Sequence, residues 1–265
     1  MDKQLWKHIQ AVRQTSPLVH NITNFVVMNN TANALLAVGA SPIMAHAHSE
    51  VEEMVGICQS LVINIGTLDE YFVTSMLLAA KKANELKKPW LLDPVGAGAT
   101  SYRNTVLSQL LECRPTVVRG NASEILALAK ANSTTTKGVD STAQSNEALD
   151  AARFINSKYG AVVCISGATD IIVSQEQTIY LSNGNALMTK VTGLGCSASA
   201  VIGAFIATVE DTAEAVAAAM ALFGISGELA AKHSKGPGTL QVNLLDTLHT
   251  ITEEEFTTTL KIKHA

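Results

Sequence analysis

Three short segments combine residue types and spacings that suit one chemistry. Residues 192–198 (TGLGCSA) run into an apolar stretch, residues 200–209. Two glycines ahead of a helix start let a ligand approach the backbone closely. The free N–H groups and the positive end of the helix dipole then form a hole for an anion, phosphate above all. A tight turn between strand and helix would use the same glycines. Cys196 lies at this helix start, where dipole and amides are expected to lower a thiol's pKa from about 8.5. Nucleophile, general base and small packed residue all remain open to it. Asp93 follows the run Trp90-Leu91-Leu92 and precedes Pro94, which holds it extended and aims its carboxylate off the strand end. It suits Mg²⁺ or its water shell, and it suits turn initiation equally. In residues 119–124 (RGNASE), Asn121 and Glu124 have the spacing of a capping box, worth about 1 kcal/mol to a helix. The other reading makes Glu124 a second acid facing magnesium and Arg119 a phosphate clamp. An arginine ending a buried strand needs an anionic partner. Together these segments supply an anion hole, two acids and an arginine, a set that suits magnesium-assisted phosphoryl transfer.

Two nucleotide-binding motifs are weighed against this. Residues 193–198 fit G-x-G-x-x-A, but Glu210 and Asp211 end a helix, where a dinucleotide-binding unit would have a strand ending in an acid. No G-x-x-x-x-G-K-[ST] occurs in the chain.

Positioning these residues requires strands that end together. Apolar, β-branched runs at residues 61–65, 90–92, 116–118 and 161–165 read as strands covered on both faces. Helical patterns at 68–87, 102–111, 121–131 and 146–158 alternate with them. This is a doubly wound α/β sheet, mostly parallel, with helices on both faces. Residues 17–21 and 42–45 read as two further strands, joined by a helix over 24–38. Residues 171–174, 178–181 and 186–190 read as antiparallel strands, with Asn183-Gly184 as the turn between the last two. Helices follow from Ser197 onward. No linker and no repeat divides the chain, so residues 1–265 read as one domain. In such sheets ligands bind beyond the carboxyl ends of the strands. There stand Asn64 to Thr67, Asp93 to Gly98, Arg119 to Asn121, and Ser166 with Gly167.

Composition excludes other classes. Of 265 residues 47% are hydrophobic and 16% charged, too apolar for a disordered chain. With 19 Lys and Arg against 23 Asp and Glu, and no basic run, nucleic-acid binding is not expected. The most apolar stretch, 194–209, is short of the ~20 residues a membrane span needs. The start, MDKQLWKHIQAVRQ, has no apolar core of a signal peptide. Cys58, Cys113, Cys164 and Cys196 are widely spaced, with no zinc or disulfide framework, which points to a reduced, cytoplasmic compartment. His46 and His48 lack companions for a metal set and read as polar surface. Lys81, Lys82, Lys87 and Lys88 read as a solvated face.

Six segments, in order, carry a resemblance: residues 17–24 (PLVHNITN), 39–44 (GASPIM), 64–67 (NIGT), 93–99 (DPVGAGA), 119–124 and 191–196 (VTGLGC). Together they resemble the hydroxyethylthiazole kinases, thiamine-salvage enzymes of the ribokinase-like superfamily. The resemblance implies a ribokinase-like fold and phosphorylation of 4-methyl-5-(2-hydroxyethyl)thiazole by Mg·ATP. It implies Cys196 as general base and the backbone amides at 193–196 as the cradle of the moving phosphoryl group. Arg119, Ser166, Asn121 and Gly195 would contact ATP. Asn24, Val26, Met44 and Gly193 would contact the thiazole, and Asp93 and Glu124 would face Mg²⁺ through water. It further implies a homotrimer with its sites at subunit interfaces. Leu194 is bulkier than the residue expected between the two glycines, and Ser197-Ala198 smaller than the pair expected after the cysteine. A related kinase for hydroxymethylpyrimidine-type alcohols, or an ATP-dependent hydrate dehydratase, would keep the fold; the Asn24 and Met44 segments and Cys196 argue against both. A non-catalytic thiazole or nucleotide sensor would be expected to lack Asp93, Arg119 or Cys196, and all three are present.

Overall fold

A computed structural model describes residues 2–133 and 144–265. Nine strands form one sheet: β1 (Leu18–Ile22), β2 (Ser41–Ile43), β3 (Ser60–Asn64), β4 (Trp90–Asp93), β5 (Val117–Asn121), β6 (Val162–Ser166), β7 (Asp170–Val173), β8 (Thr178–Leu181) and β9 (Ile262–His264). Their order is β2-β1-β3-β4-β5-β6-β7-β8-β9. Pairing is parallel from β2 through β6 and antiparallel from β6 to β9. The inner strands are apolar because helices cover both their faces.

The eleven helices are α1 (Asp2–Thr15), α2 (Met28–Val38), α3 (Val51–Ile57), α4 (Glu70–Glu85), α5 (Ser101–Glu112), α6 (Ala122–Ala131), α7 (Gln144–Tyr159), α8 (Leu194–Ile206), α9 (Thr212–Lys232), α10 (Pro237–Thr250) and α11 (Glu253–Thr259). The core on one face joins α1, α2, α8, α9, α10 and Phe256 of α11 to Val19, Val62, Leu91 and Val117. The core on the other joins α3 to α7 to Leu61, Ile63, Trp90, Leu92 and Val118. Alternate strand residues therefore feed opposite cores, as the two-residue side-chain period requires. Polar caps start several helices: Asp69, Thr100 and Asp211 each accept from an amide three residues on. Helix α9 is long and apolar enough to cross a membrane, but 83% of it is buried, which makes it a core helix.

The doubly wound, mostly parallel sheet expected from the sequence is present, and the structure corrects its details. Residues 186–190 are not a strand: they form a 3₁₀ turn capped by Asn185, whose side chain accepts from the Leu187 amide at 2.9 Å. Asn183-Gly184 is correspondingly no hairpin turn. The physical reason lies in the sheet, because the free edge of β8 is already taken by β9 at the chain's end. That strand, with α1 and α3, was not anticipated. Helix α2 begins at Met28 rather than at Asn24, and α8 begins at Leu194, inside the glycine segment. Lys88 is no solvated side chain, since its ammonium donates to the Gly56 and Cys58 carbonyls.

Candidate active site

The strand order reverses between β1 and β3, because α2 packs on one face and α3 to α7 on the other. Ligands bind in the crevice that such a switch point opens. At its mouth the polar ends of β1, β3 and β4 meet the start of α8. The Asn24 amide donates to Asn64 Oδ1 at 2.7 Å and lies 3.7 Å from Cys196 Sγ. The Asn64 amide donates in turn to Asp93 Oδ2 at 2.7 Å. Ser199, one turn along α8 from Cys196, donates to the same oxygen at 2.8 Å. Cys196, Asn24, Asn64, Asp93 and Ser199 thus form one connected polar chain across four elements. Every member except Cys196 is buried, so the chain is fixed before any ligand arrives.

Gly193 caps α8 with φ of +79°. A side chain there would be strained by its backbone and would meet Val27 Cγ1 at 2.4 Å. Gly195 has a different reason: a Cβ would stand 2.8 Å from Nη1 of Arg119. Between them, the amides of Leu194, Gly195 and Cys196 bond no acceptor among the described residues, while Ser197 N starts the helix ladder on Gly193 O at 2.9 Å. This is the anion hole expected from the glycine spacing. Leu194 is buried, and its side chain faces a cleft rather than the amides.

Arg119, on β5, makes no hydrogen bond to another described residue, and its Nε is buried without a partner. Its charge acts on Asp93, Asp170 and Cys196. It borders a cleft of about 640 Å³ lined also by Ser166, Gly195, Met188, Met220 and Phe223. Asn24, Val26 and Met44 do not line it. The Ser166 hydroxyl donates to Gly120 O at 3.3 Å. Val26 is 60% exposed beside Phe25 at 61%, whereas Asn24 is buried and Met44 half-buried. The four residues expected to hold the thiazole therefore split. Asn24 and Gly193 border Cys196, and Val26 faces outward.

The capping-box reading of Glu124 is present in the structure. Its Oε2 accepts from the Asn121 amide at 2.9 Å while Asn121 Oδ1 accepts from the Glu124 amide, the reciprocal capping box. Its Oε1 accepts from Gly96 N at 3.0 Å and ties the loop after β4 to α6. Asn121 is likewise occupied as the cap. The carboxylate still acts electrostatically on Asp93.

Burial pushes the Asp93 carboxyl up to about 6, against the pull of Arg119 and the Ser199 and Asn64 hydrogen bonds. The Cys196 thiol departs from the sequence expectation of a lowered pKa. Burial, then the Asp93 charge, push it up to about 11, so it is protonated at neutral pH. Burial and the nearby carboxylate thus outweigh the helix dipole. The fit for Mg²⁺ rests on the donor set: Asp93 Oδ2 holds both its hydrogen bonds, and Oδ1 takes none from a described residue. No group of three acidic, histidine or cysteine side chains able to hold a metal occurs among the described residues. Mg²⁺ characteristically keeps its waters and the nucleotide phosphates as ligands, which one free carboxylate oxygen near a phosphate site suits.

Sequence reasoning missed Ser199, which reads as one more small residue in an apolar helix, though it stands three residues from Cys196 and so on the same face. It also missed Arg103, whose guanidinium donates to Ile65, Gly66 and Val95 carbonyls at 2.6 to 2.8 Å and locks the loops after β3 and β4 together. His46 and His48 stack on Phe72 and Tyr71 with ring centroids 4.6 and 3.7 Å apart.

Residues 9–254 match the family described as the Hydroxyethylthiazole kinase family. A hydroxyethylthiazole kinase of Syntrophus aciditrophicus is 55% identical over 258 residues, covering 97% of this chain and 96% of the relative. One from Leptospira biflexa is 53% identical and covers 98% of each. Among solved structures, the hydroxyethylthiazole kinase protein from Pyrococcus horikoshii OT3 superposes with a TM-score of 0.92 at 42% identity, over 99% of both chains. The pyridoxal kinase from Staphylococcus aureus in complex with ADP has a TM-score of 0.68 at 15% identity, over 94% of this chain and 99% of its own, a likeness of fold. The chain belongs to the hydroxyethylthiazole kinase family.

Proposed function

We propose that the protein transfers the γ-phosphoryl group of ATP to the hydroxyl of 4-methyl-5-(2-hydroxyethyl)thiazole, a thiamine-salvage step. Family membership supports this reading. The observation that carries it is that the unpaired Arg119 guanidinium, which lines the cleft, lies against the start of α8 with its three free amides and acts on Cys196 there. ATP lies in the 640 Å³ cleft, its base toward Met188, Met220 and Phe223 and its phosphates toward Arg119, Ser166 and Gly195. The thiazole lies on the other side of Cys196, against Asn24, Gly193 and Met44, with Val26 supplied by a neighbouring copy.

Phosphoryl transfer passes through a loose transition state, so positioning and charge stabilisation carry most of the rate. Asn24 fixes Cys196 beside the attacking hydroxyl. The amides of residues 194–196 face the equatorial oxygens of the moving group, and Arg119 offsets their charge. The hydroxyl oxygen bonds phosphorus as the bond to the β-phosphate oxygen breaks, and the hydroxyl proton passes to Cys196 in its thiolate form. Asp93, with the charge of Glu124 behind it, would hold Mg²⁺ through water, and the ion when bound would neutralise charge on the phosphate oxygens. We read residues 1–265 as one kinase domain, since one sheet, its loops and the helices packed on it carry every site residue. Four free cysteines support a cytoplasmic location.

We also assign the exposed Phe25 and Val26 to the interface of a homotrimer, where Val26 reaches a neighbour's thiazole. Sedimentation of wild type as a trimer, with Val26→Asp dissociated and inactive, is the expected result; an active monomer would contradict it. The reaction itself is tested by ³¹P NMR of enzyme, Mg·ATP and the thiazole alcohol. A phosphate-monoester resonance growing in step with ADP is expected. ADP accompanied by free phosphate would show hydrolysis instead.

A further inference from the structure

The cleft wall opposite Arg119 holds a buried polar residue that the reaction does not use. Asn183 stands two residues beyond β8, where the chain leaves the sheet and turns into the 3₁₀ segment that carries Met188. No strand ladder holds it there, and its own side chain does. Its amide donates to Thr259 O at 2.8 Å and to Glu228 Oε2 at 3.1 Å, and its Oδ1 accepts from Lys261 N at 2.8 Å. Glu228, on α9, is in turn held by Lys261 Nζ at 2.8 Å. On its other side the Asn183 carbonyl presses on α9 so closely that a Cβ on Gly224 would stand 2.9 Å from it. Asn183 thus links the C-terminal segment to the wall that faces Met220, Phe223 and Gly224.

We propose that Asn183 is a positioning residue for nucleotide binding, through which the C-terminal residues Thr259 and Lys261 set the shape of the ATP cleft and leave the thiazole side untouched. The proposal rests on the reading of the 640 Å³ cleft as the ATP site. Three hydrogen bonds are lost together in Asn183→Ala, and the wall is then free to shift relative to α9. The KM for ATP should rise about tenfold, while kcat at saturating ATP and the KM for the thiazole stay within about twofold. Asn183→Asp keeps the acceptor for Lys261 N but sets a carboxylate against Glu228, and should raise the KM for ATP at least as far. Adding Glu228→Gln to Asn183→Asp restores a donor facing an acceptor at that contact, with Thr259 O still facing a carboxylate, and should recover part of the loss, a rescue that general destabilisation would not show.

The experiment is steady-state kinetics in both substrates on the full chain for wild type, these variants and the double variant, with calorimetric titration of ADP. Where Asn183→Ala is not recovered folded, Asn183→Asp with and without Glu228→Gln carries the comparison. An unchanged KM for ATP in the folded variants overturns the proposal. So does a joint loss in kcat and both KM values without rescue. ADP binding that is insensitive to Arg119→Ala would instead overturn the cleft assignment. ADP binding weakened by Arg119→Ala but not by the Asn183 variants would overturn the Asn183 proposal alone.

Discussion

Replacing Ser199 with alanine removes one of the two hydrogen bonds that hold the Asp93 carboxylate, a bond of 2.8 Å inside the core. A hydrogen bond to a charged group contributes roughly 1.5–3 kcal/mol, and one pKa unit corresponds to about 1.4 kcal/mol. The bond favours the ionised form, so its loss raises the Asp93 pKa from about 6 to about 7–8. At pH 6.5 the ionised fraction then falls about eightfold, taking a variant pKa near 7.5, whereas at pH 9 it is nearly complete in both proteins. The assay is kcat/KM for Mg·ATP from pH 5.5 to 9.5, expressed as the ratio of variant to wild type so that other titrations cancel. The ratio should be about one eighth at pH 6.5 and approach one at pH 9. A ratio independent of pH would refute the argument, because it would place the effect of Ser199 in packing and not in the charge of Asp93.

The same carboxylate has a cost in stability. Its folded pKa lies above its unfolded value near 3.9, so the folded state binds the proton more tightly, and stability declines as pH rises from about 4 through 6. Asp93→Asn should therefore gain about 3 kcal/mol on wild type at pH 8, little at pH 4, and lose turnover; chemical denaturation at both pH values measures this. Cys196→Asp should keep substantial activity and a flat profile between pH 7 and 9, where the wild-type rate climbs with the thiolate fraction of a group near 11. Cys196→Ala should be slower without being inactive, and loss of all turnover in both variants counts against a simple base. Gly195→Ala should displace the Arg119 guanidinium and raise the KM for ATP at little cost in Tm. Gly193→Ala, with its positive φ and the Val27 contact, should lose about 1–3 kcal/mol of stability.

The sheet was legible because its inner strands are uniformly apolar and each ends in a polar residue before glycine. Asn64 and Asp93 end adjacent strands as that pattern required, whereas Arg119 stands two residues before the end of the next strand, β5. The 3₁₀ turn at residues 186–190 was misread because its alternation fits a strand. Only the distant pairing of β9 with β8 shows that no sheet edge is left for it. Glu124 shows the opposite case, where a local spacing rule was enough to find the capping box. The Cys196 pKa could not be read from a helix start, since burial, and after it the charge of Asp93, raise it, and both are products of the tertiary fold. Ser199 and Asn183 escaped for the same reason, since their partners are set by the tertiary fold.

The measurement that bears most directly on the account is ADP release from Mg·ATP with and without hydroxyethylthiazole, beside hydroxymethylpyrimidine and other small alcohols. Strong stimulation by the thiazole alone is predicted. Stimulation by another alcohol in its place, or tight thiazole binding without turnover, would contradict it.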